Sequence, residues 1–341
     1  MSKLEDLLAR KGALLADGAT GTNLFEMGLV SGDAPELWNM DQPEKIKALH
    51  KSFVDAGSDI ILTNTFGCNR HRLKLHNAQE RVKELNISAV KLAREVADTV
   101  EREVLVGGSI GPTGELFQPL GALSYEDGVA AFREQIEALV EGGADILWVE
   151  TMSAVEEMKA AAEAAKGFDV PLVITASFDT AGKTMMGLSP KGLADLQTDF
   201  ACTPVAIGSN CGVGASDLLA AIMDITAAYP DTIIVAKANC GIPQIKGDEV
   251  VYTGTPDLMA KYAHMALDAG ARIVGGCCGT SPVHLAAMRG ALDSHKAGKR
   301  PTLDEVISAI GPLVSPPNKE ADAARAEAGD GTGRRRGRRR S

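Results

Sequence analysis

The stretch Asp268-Ala269-Gly270-Ala271-Arg272-Ile273-Val274-Gly275-Gly276-Cys277-Cys278-Gly279-Thr280 decides the fold. Gly270 lies where a helix C-cap would put it, and an apolar strand follows at once. That strand runs into two adjacent cysteines set among glycines. Two earlier phrases repeat the first half: Asp55-Ala56-Gly57-Ser58-Asp59-Ile60 and Glu141-Gly142-Gly143-Ala144-Asp145-Ile146. Each reads as a helix end, a short loop and a strand start.

Eight apolar, β-branched runs can be picked out in this way. They are Ala13–Gly18, Asp59–Asn64, Val104–Ile110, Ile146–Glu150, Leu172–Phe178, Ala206–Cys211, Thr232–Asn239 and Arg272–Cys278. Most are near-continuous in apolar residues, as strands buried on both faces should be. Helical periodicity follows over Lys45–Ala56, Gln79–Glu101, Asp127–Glu141, Val155–Lys166, Ala215–Ala228, Asp257–Ala269 and Pro282–Leu292, and more faintly over Pro190–Phe200. Eight such units predict an α/β fold, a (β/α)8 TIM barrel, as a single domain over residues 1–312. An open doubly wound sheet would carry a phosphate-binding glycine fingerprint after its first strand, and none is there. Residues 313–341, Ala/Glu-rich and then Gly/Arg-rich, read as a disordered tail.

The composition agrees. A hydrophobic content of 45% with only 4% aromatics calls for a core of Ala, Val, Leu and Ile. No run of eighteen apolar residues suggests a membrane span. The polar start Met1-Ser2-Lys3-Leu4-Glu5-Asp6 does not read as a signal peptide. Six cysteines in 341 residues are too few for a disulfide framework, so a cytoplasmic protein with free thiols is expected. The formal charge is −10, and setting aside the six arginines between Arg334 and Arg340 leaves −16. Nothing along so acidic a body suggests a nucleic-acid groove.

A barrel of this kind carries its chemistry at the C-terminal ends of its strands. There the sequence puts Cys211, in Ser209-Asn210-Cys211-Gly212, together with Cys277 and Cys278. The plain alternative is that Cys277 and Cys278 are small buried hydrophobes, and neighbours on an ideal strand face opposite ways. The flanking glycines let the backbone bend so that both sulfurs converge. Three thiolates leave one tetrahedral position of a zinc ion open. A free alkyl thiol has a pKa near ~8.5, and a metal holds it ionised. Three thiolates also blunt zinc as a Lewis acid, which favours a soft sulfur substrate over hydrolysis. Cys68, Cys202 and Cys240 read as ordinary buried cysteines, although Cys240 also lies at a strand end.

The loop Asp17–Thr22 offers small residues and consecutive amides that can bind a carboxylate. Its alternative is a plain glycine turn. Asp17 and Glu150 are carboxylates at buried strand ends, and buried acids need partners. Either a substrate ammonium or a protein cation can serve. With the first, the site binds an amino acid bearing a thiol. Asn64, Asn210 and Asn239 can hold substrate or satisfy loop backbone. None of the six histidines is assigned to the metal.

These motifs, Asp-Gly-Ala-Thr-Gly-Thr at 17–22, Thr-Asn-Thr-Phe-Gly at 63–67, Asn-Cys-Gly at 210–212 and Gly-Gly-Cys-Cys-Gly-Thr at 275–280, resemble those of the homocysteine S-methyltransferase family. The resemblance covers about residues 10–295. It implies zinc on Cys211, Cys277 and Cys278, with homocysteine as the thiol converted to methionine. It implies Asp17 and Glu150 on the amino group, and amides near Ala19 and Thr20 on the carboxylate. Asn239 matches an asparagine-alanine-glycine-x-proline element in which Cys240 replaces the alanine.

Family members take the methyl group from methylcobalamin, betaine, S-methylmethionine or S-adenosylmethionine. The runs 59–67 and 111–114 are most similar to the homocysteine barrel of cobalamin-dependent methionine synthase. The expected donor is therefore methylcobalamin on a separate corrinoid-binding partner protein. Betaine is the alternative, because an aromatic cage suits a quaternary ammonium and Trp38, Phe25, Phe66 and Tyr252 are loop aromatics. Two readings of other classes stand beside these: a non-catalytic zinc or thiol sensor, and RNA or lipid binding through Arg334–Arg340.

Overall fold

The computed structural model describes residues 2–246 and 249–317. Its strands are β1 (Leu14–Leu15), β2 (Ile60–Leu62), β3 (Leu105–Ile110), β4 (Ile146–Met152), β5 (Leu172–Ala176), β6 (Ala206–Cys211), β7 (Ile233–Ala238), β8 (Pro243–Lys246), β9 (Glu249–Tyr252) and β10 (Ile273–Gly276). Eight of them form one parallel sheet in the order β1-β10-β7-β6-β5-β4-β3-β2. The two outer strands meet through a parallel bridge between Ala16 and Ile60. The ring so formed is the expected TIM barrel; seven of its strands fall within the runs read from the sequence, and β4 continues two residues past the expected end at Glu150, to Met152. The glycine caps are real: Gly57, Gly143 and Gly270 have φ of 98°, 95° and 103°, the left-handed turn that lets a helix stop and a strand begin.

Inside the ring, side chains of alternate residues fill the barrel. Leu14, Ala16, Ile60, Leu62, Leu105, Ile146, Trp148, Val173, Val235 and Ile273 pack as one inner cluster. A helix that periodicity did not flag, Lys3–Lys11, plugs the N-terminal mouth with Leu4, Leu7 and Leu8. Its start is fixed by a capping box between Ser2 and Glu5. The outer layer is alanine-rich. Helix Val155–Ala165 buries Ala160, Ala161, Ala162, Ala164 and Ala165, and small side chains let helix and sheet approach closely.

Two further elements were not foreseen. An antiparallel hairpin, β8–β9, follows β7 at the C-terminal mouth, and a helix Leu303–Ile310 extends the body. Residues 313–317, read as the start of the tail, lie along the barrel. The amides of Val314 and Ser315 donate to the Asp217 carboxylate at 2.9 Å each. Residues 318–341, with the arginine cluster, lie outside the described residues. Among the described residues no helix is long and apolar enough to cross a membrane.

The β1–β2 seam rests on buried Asp59. Its Oδ2 accepts the Leu15 amide at 2.9 Å and faces Arg289 Nη1 at 3.1 Å, while Oδ1 meets Lys11 Nζ at 2.6 Å. Lys11 and Arg289 are part-exposed, so removing Asp59 costs chiefly the buried Leu15 amide its partner, about 1–3 kcal/mol. Asp59→Ala is expected to lower the unfolding free energy by that amount in a denaturant titration. An unchanged midpoint would show that the seam is held by other contacts.

Candidate metal and thiol site

Strand β10 ends at Gly276, so Cys277 and Cys278 lie in a turn and not in the pleat. The turn is tight. A Cβ on Gly276 would stand 2.2 Å from the Thr280 side chain, and Gly279 has φ 78°. On the other side, Cys211 closes β6 with φ 62°, a conformation that costs a non-glycine residue about 1 kcal/mol or more. Together these turns bring the sulfurs of Cys211, Cys277 and Cys278 within 4.8 Å of one another. Cys211 and Cys278 are 3.8 Å apart. All three side chains are half-buried. Among the described residues no other group of histidines, cysteines and acids converges in this way. Cys68 and Cys240 are buried and Cys202 is half-buried; the Cys240 amide bonds the Cys278 carbonyl at 2.9 Å, but its sulfur is not in the converging group.

The thiols resist ionising together. Hydrogen bonding and repulsion among them, with burial, hold Cys211 and Cys277 far above the usual thiol value and push Cys278 up to about 11. Three thiolates therefore need a compensating cation, and an all-sulfur donor set suits a soft or borderline divalent ion. The residues present fit a metal ion with one position left open.

Asn239, just beyond β7, clamps the two cysteine loops. Its Nδ2 donates to the Gly212 carbonyl at 2.6 Å, and its Oδ1 accepts the Cys278 amide at 3.1 Å. Tyr252, at the end of β9, lies beside Cys278 and partly offsets the rise in that thiol. Its ring stands where a Cβ on Gly279 would be, 2.3 Å away.

A second group lies beside the sulfurs. The pairing of β4 with β5 slips between Val149 and Met152, and Thr151 takes φ 60°. Such bulges re-aim side chains, here that of Glu150. Ser109 Oγ donates to Glu150 Oε1 at 2.6 Å, whereas Oε2 has only a long 3.5 Å contact from Asn210 Nδ2. The same Asn210 nitrogen bonds Thr151 Oγ1 at 2.7 Å and approaches Cys277 Sγ at 3.9 Å. Asp17 is placed differently. Its Oδ1 meets Lys237 Nζ at 2.6 Å and its Oδ2 accepts the Leu62 amide at 2.7 Å. Lys237 and Asp17 are 2% and 1% exposed, so this is a fully buried ion pair, the protein-cation partner that the sequence left open. Burial raises both acids above the usual carboxylate range, and Lys237 opposes the rise in each. Burial alone would lower Lys237, but Asp17 and Glu150 reverse this and hold it above an ordinary lysine.

The remaining residues read from the sequence sit in the loops. The Ala19 amide is bonded to the Thr280 carbonyl at 3.0 Å, and Thr20 opens the helix Thr20–Glu26. Asn64 donates to the Pro35 carbonyl at 2.7 Å and to Asn39 Oδ1 at 3.0 Å, holding the long loop after β1. Sequence reasoning missed Lys237 and Ser109, and read Tyr252 only as a loop aromatic for a quaternary ammonium. For Lys237 a signal existed, a lone lysine inside the apolar run Thr232–Asn239.

The chain is thus a (β/α)8 barrel that gathers three sulfurs, able to hold a metal ion, at its C-terminal mouth beside two buried acids. Residues 14–292 match the model of the homocysteine S-methyltransferase family, and the chain belongs to that family of methyltransferase enzymes. It is similar to methionine synthase of Mycobacterium tuberculosis, 28% identical over 330 residues, covering 90% of this chain and 27% of that protein. The Mycobacterium leprae methionine synthase is 29% identical over 300 residues, with 83% and 24% covered. The chain thus spans about a quarter of the length of these curated relatives. Among solved structures, the metallated homocysteine methyltransferase MmuM from Escherichia coli superposes with a TM-score of 0.70 at 26% identity, covering 84% of this chain and 99% of that one. A methyltransferase from Methanosarcina mazei shares the fold at TM-score 0.52 and 16% identity, with 85% and 98% covered.

Groups that orient metal ligands typically contribute 10–100-fold in affinity. Asn239→Ala is expected to weaken metal retention by about that factor, read by competition with a chromophoric chelator. Unchanged affinity would show that the cysteine loops hold their positions without the clamp.

Proposed function

We propose that this barrel methylates the thiol of homocysteine to give methionine, with a zinc ion held by Cys211, Cys277 and Cys278. The observation that carries the reading is the convergence of those three sulfurs within 4.8 Å at the mouth. Family membership supports the substrate, and the metallated form of E. coli MmuM supports the metal. When bound, zinc supplies a soft Lewis acid that keeps an incoming thiol ionised at neutral pH. The protein orients the rest of the substrate. The buried acids Glu150 and Asp17 place negative charge near the amino group, and the loop from Thr20 receives the carboxylate, the Ala19 amide being already bonded to the Thr280 carbonyl. Asn64 and Asn239 hold the surrounding loops in place, while Tyr252 covers one side of the sulfur cluster. In the transfer a carbon–sulfur bond forms as the bond between methyl and donor breaks. The electron pair of the broken bond stays with the donor, and the thiol proton leaves to solvent.

For the donor, the reading is methylcobalamin on a separate corrinoid protein. The match to methionine synthases over about a quarter of their length supports a barrel that works with another corrinoid-carrying body. A second reading takes a small-molecule donor, S-methylmethionine or betaine. It is favoured by the match over 99% of the MmuM chain, itself a homocysteine methyltransferase. Betaine has less support, since the Trp38 ring is already engaged by Lys45 Nζ at 4.4 Å and Phe25 is exposed. Six free cysteines, with no disulfide, suit the reducing cytoplasm.

A donor panel tests the reading: zinc-loaded protein and homocysteine with betaine, S-methylmethionine, S-adenosylmethionine, or methylcobalamin free and on a carrier. Methionine is expected with the methylated carrier, and methionine from betaine alone rejects that donor. Changing Cys211, Cys277 or Cys278 to Ala is expected to abolish zinc retention and turnover together. A variant that lost its zinc and kept full turnover would reject the metal.

A further inference from the structure

Lys237 is the one residue near the sulfurs whose presence the site chemistry does not explain. It lies on β7 two residues beyond Val235, on the same inner face. Room for its stem is made by Gly275 on the neighbouring strand, where a Cβ would stand 3.1 Å from Lys237 Cγ. Its ammonium reaches the first of the two acids directly, at 2.6 Å from Asp17 Oδ1. With Glu150 it interacts only through charge and makes no hydrogen bond. The two carboxylates are therefore not equivalent. Both Asp17 oxygens are committed, to a cation and to the Leu62 amide. A second ammonium brought to Asp17 would meet the one already there. Glu150 keeps Oε2 with a single long contact, on the side facing Asn210 and Cys277.

We propose that Lys237 is a positioning residue for amino-group recognition: it closes Asp17 as an acceptor and leaves Glu150 the single carboxylate that distinguishes an amino thiol from a thiol without an amino group. This rests on the reading that homocysteine is the substrate. It divides between two acids a role that the family resemblance gives to both.

The test compares binding of homocysteine with that of 4-mercaptobutyrate, the same thiol without its amino group, by calorimetry on zinc-loaded full-length protein. Zinc content is measured alongside. The wild type is expected to prefer homocysteine by tenfold or more. Glu150→Gln is expected to lose most of that preference with zinc content unchanged. The decisive variant adds Lys237→Met to Glu150→Gln, which removes one buried charge of each sign. Asp17, released from its partner, then becomes the ammonium acceptor, and the preference returns by at least threefold. A folded, zinc-loaded double variant with no recovery overturns the proposal, because a merely structural lysine would restore nothing. Should the double variant fail to fold, Glu150→Gln alone still decides: a preference left near the wild-type value overturns it. A wild type that binds neither thiol removes the homocysteine reading itself, and the proposal with it. That result is distinct from a wild type that discriminates through Asp17.

Discussion

Everything at the mouth of this barrel depends on bringing three sulfurs from two strands to one point. In the sheet, β7 lies between β6 and β10, so the strands carrying Cys211 and the Cys277–Cys278 pair are not neighbours. The gap is crossed from both sides by turns that regular strands would not make, Cys211 in the left-handed region and Cys277–Cys278 in a glycine-flanked bend. Asn239, at the end of the strand between them, is the residue placed to hold both loops, and it bonds to both. The backbone strain at Cys211 and at Thr151, joined through Asn210, is concentrated where the chemistry is, as is usual for over-determined sites.

The second constraint is charge. Asp17, Glu150 and Lys237 are all buried. Taking such groups out of water costs several kcal/mol per ion unless geometry and hydrogen bonds return it. The fold meets that cost with specific partners: Leu62 N–H, Ser109 Oγ and the lysine itself. A core built only for stability would place aliphatic side chains there. Keeping three ions beneath a cluster of thiols makes sense if an incoming zwitterion must be read by charge.

The barrel was legible because its strands are apolar on both faces and its αβ turns repeat the same glycine cap. The three thiols were legible because adjacent cysteines among glycines suit a metal better than a core. What the sequence hid has physical reasons. The helix Lys3–Lys11 precedes the first βα unit, so no strand announces it. The hairpin β8–β9 sits in a stretch that periodicity assigned to a loop. Lys237 was absorbed into a strand whose other residues are apolar, and its partner Asp17 lies 220 positions away. Asn239 was read as a substrate contact or a loop tie, and the structure gives it the clamp across two loops, since hydrogen-bond partners of an asparagine cannot be inferred from type and position alone. Residues 313–317 read as tail by composition, yet two backbone amides there find Asp217.

The central claim is that a sulfur-only cradle accepts a fourth sulfur from the substrate. The most direct measurement is X-ray absorption at the zinc edge of the loaded protein, before and after homocysteine. The account predicts three sulfur scatterers at about 2.3 Å rising to four on addition of homocysteine. A sulfur count that does not change, or a first shell dominated by nitrogen and oxygen, would contradict it.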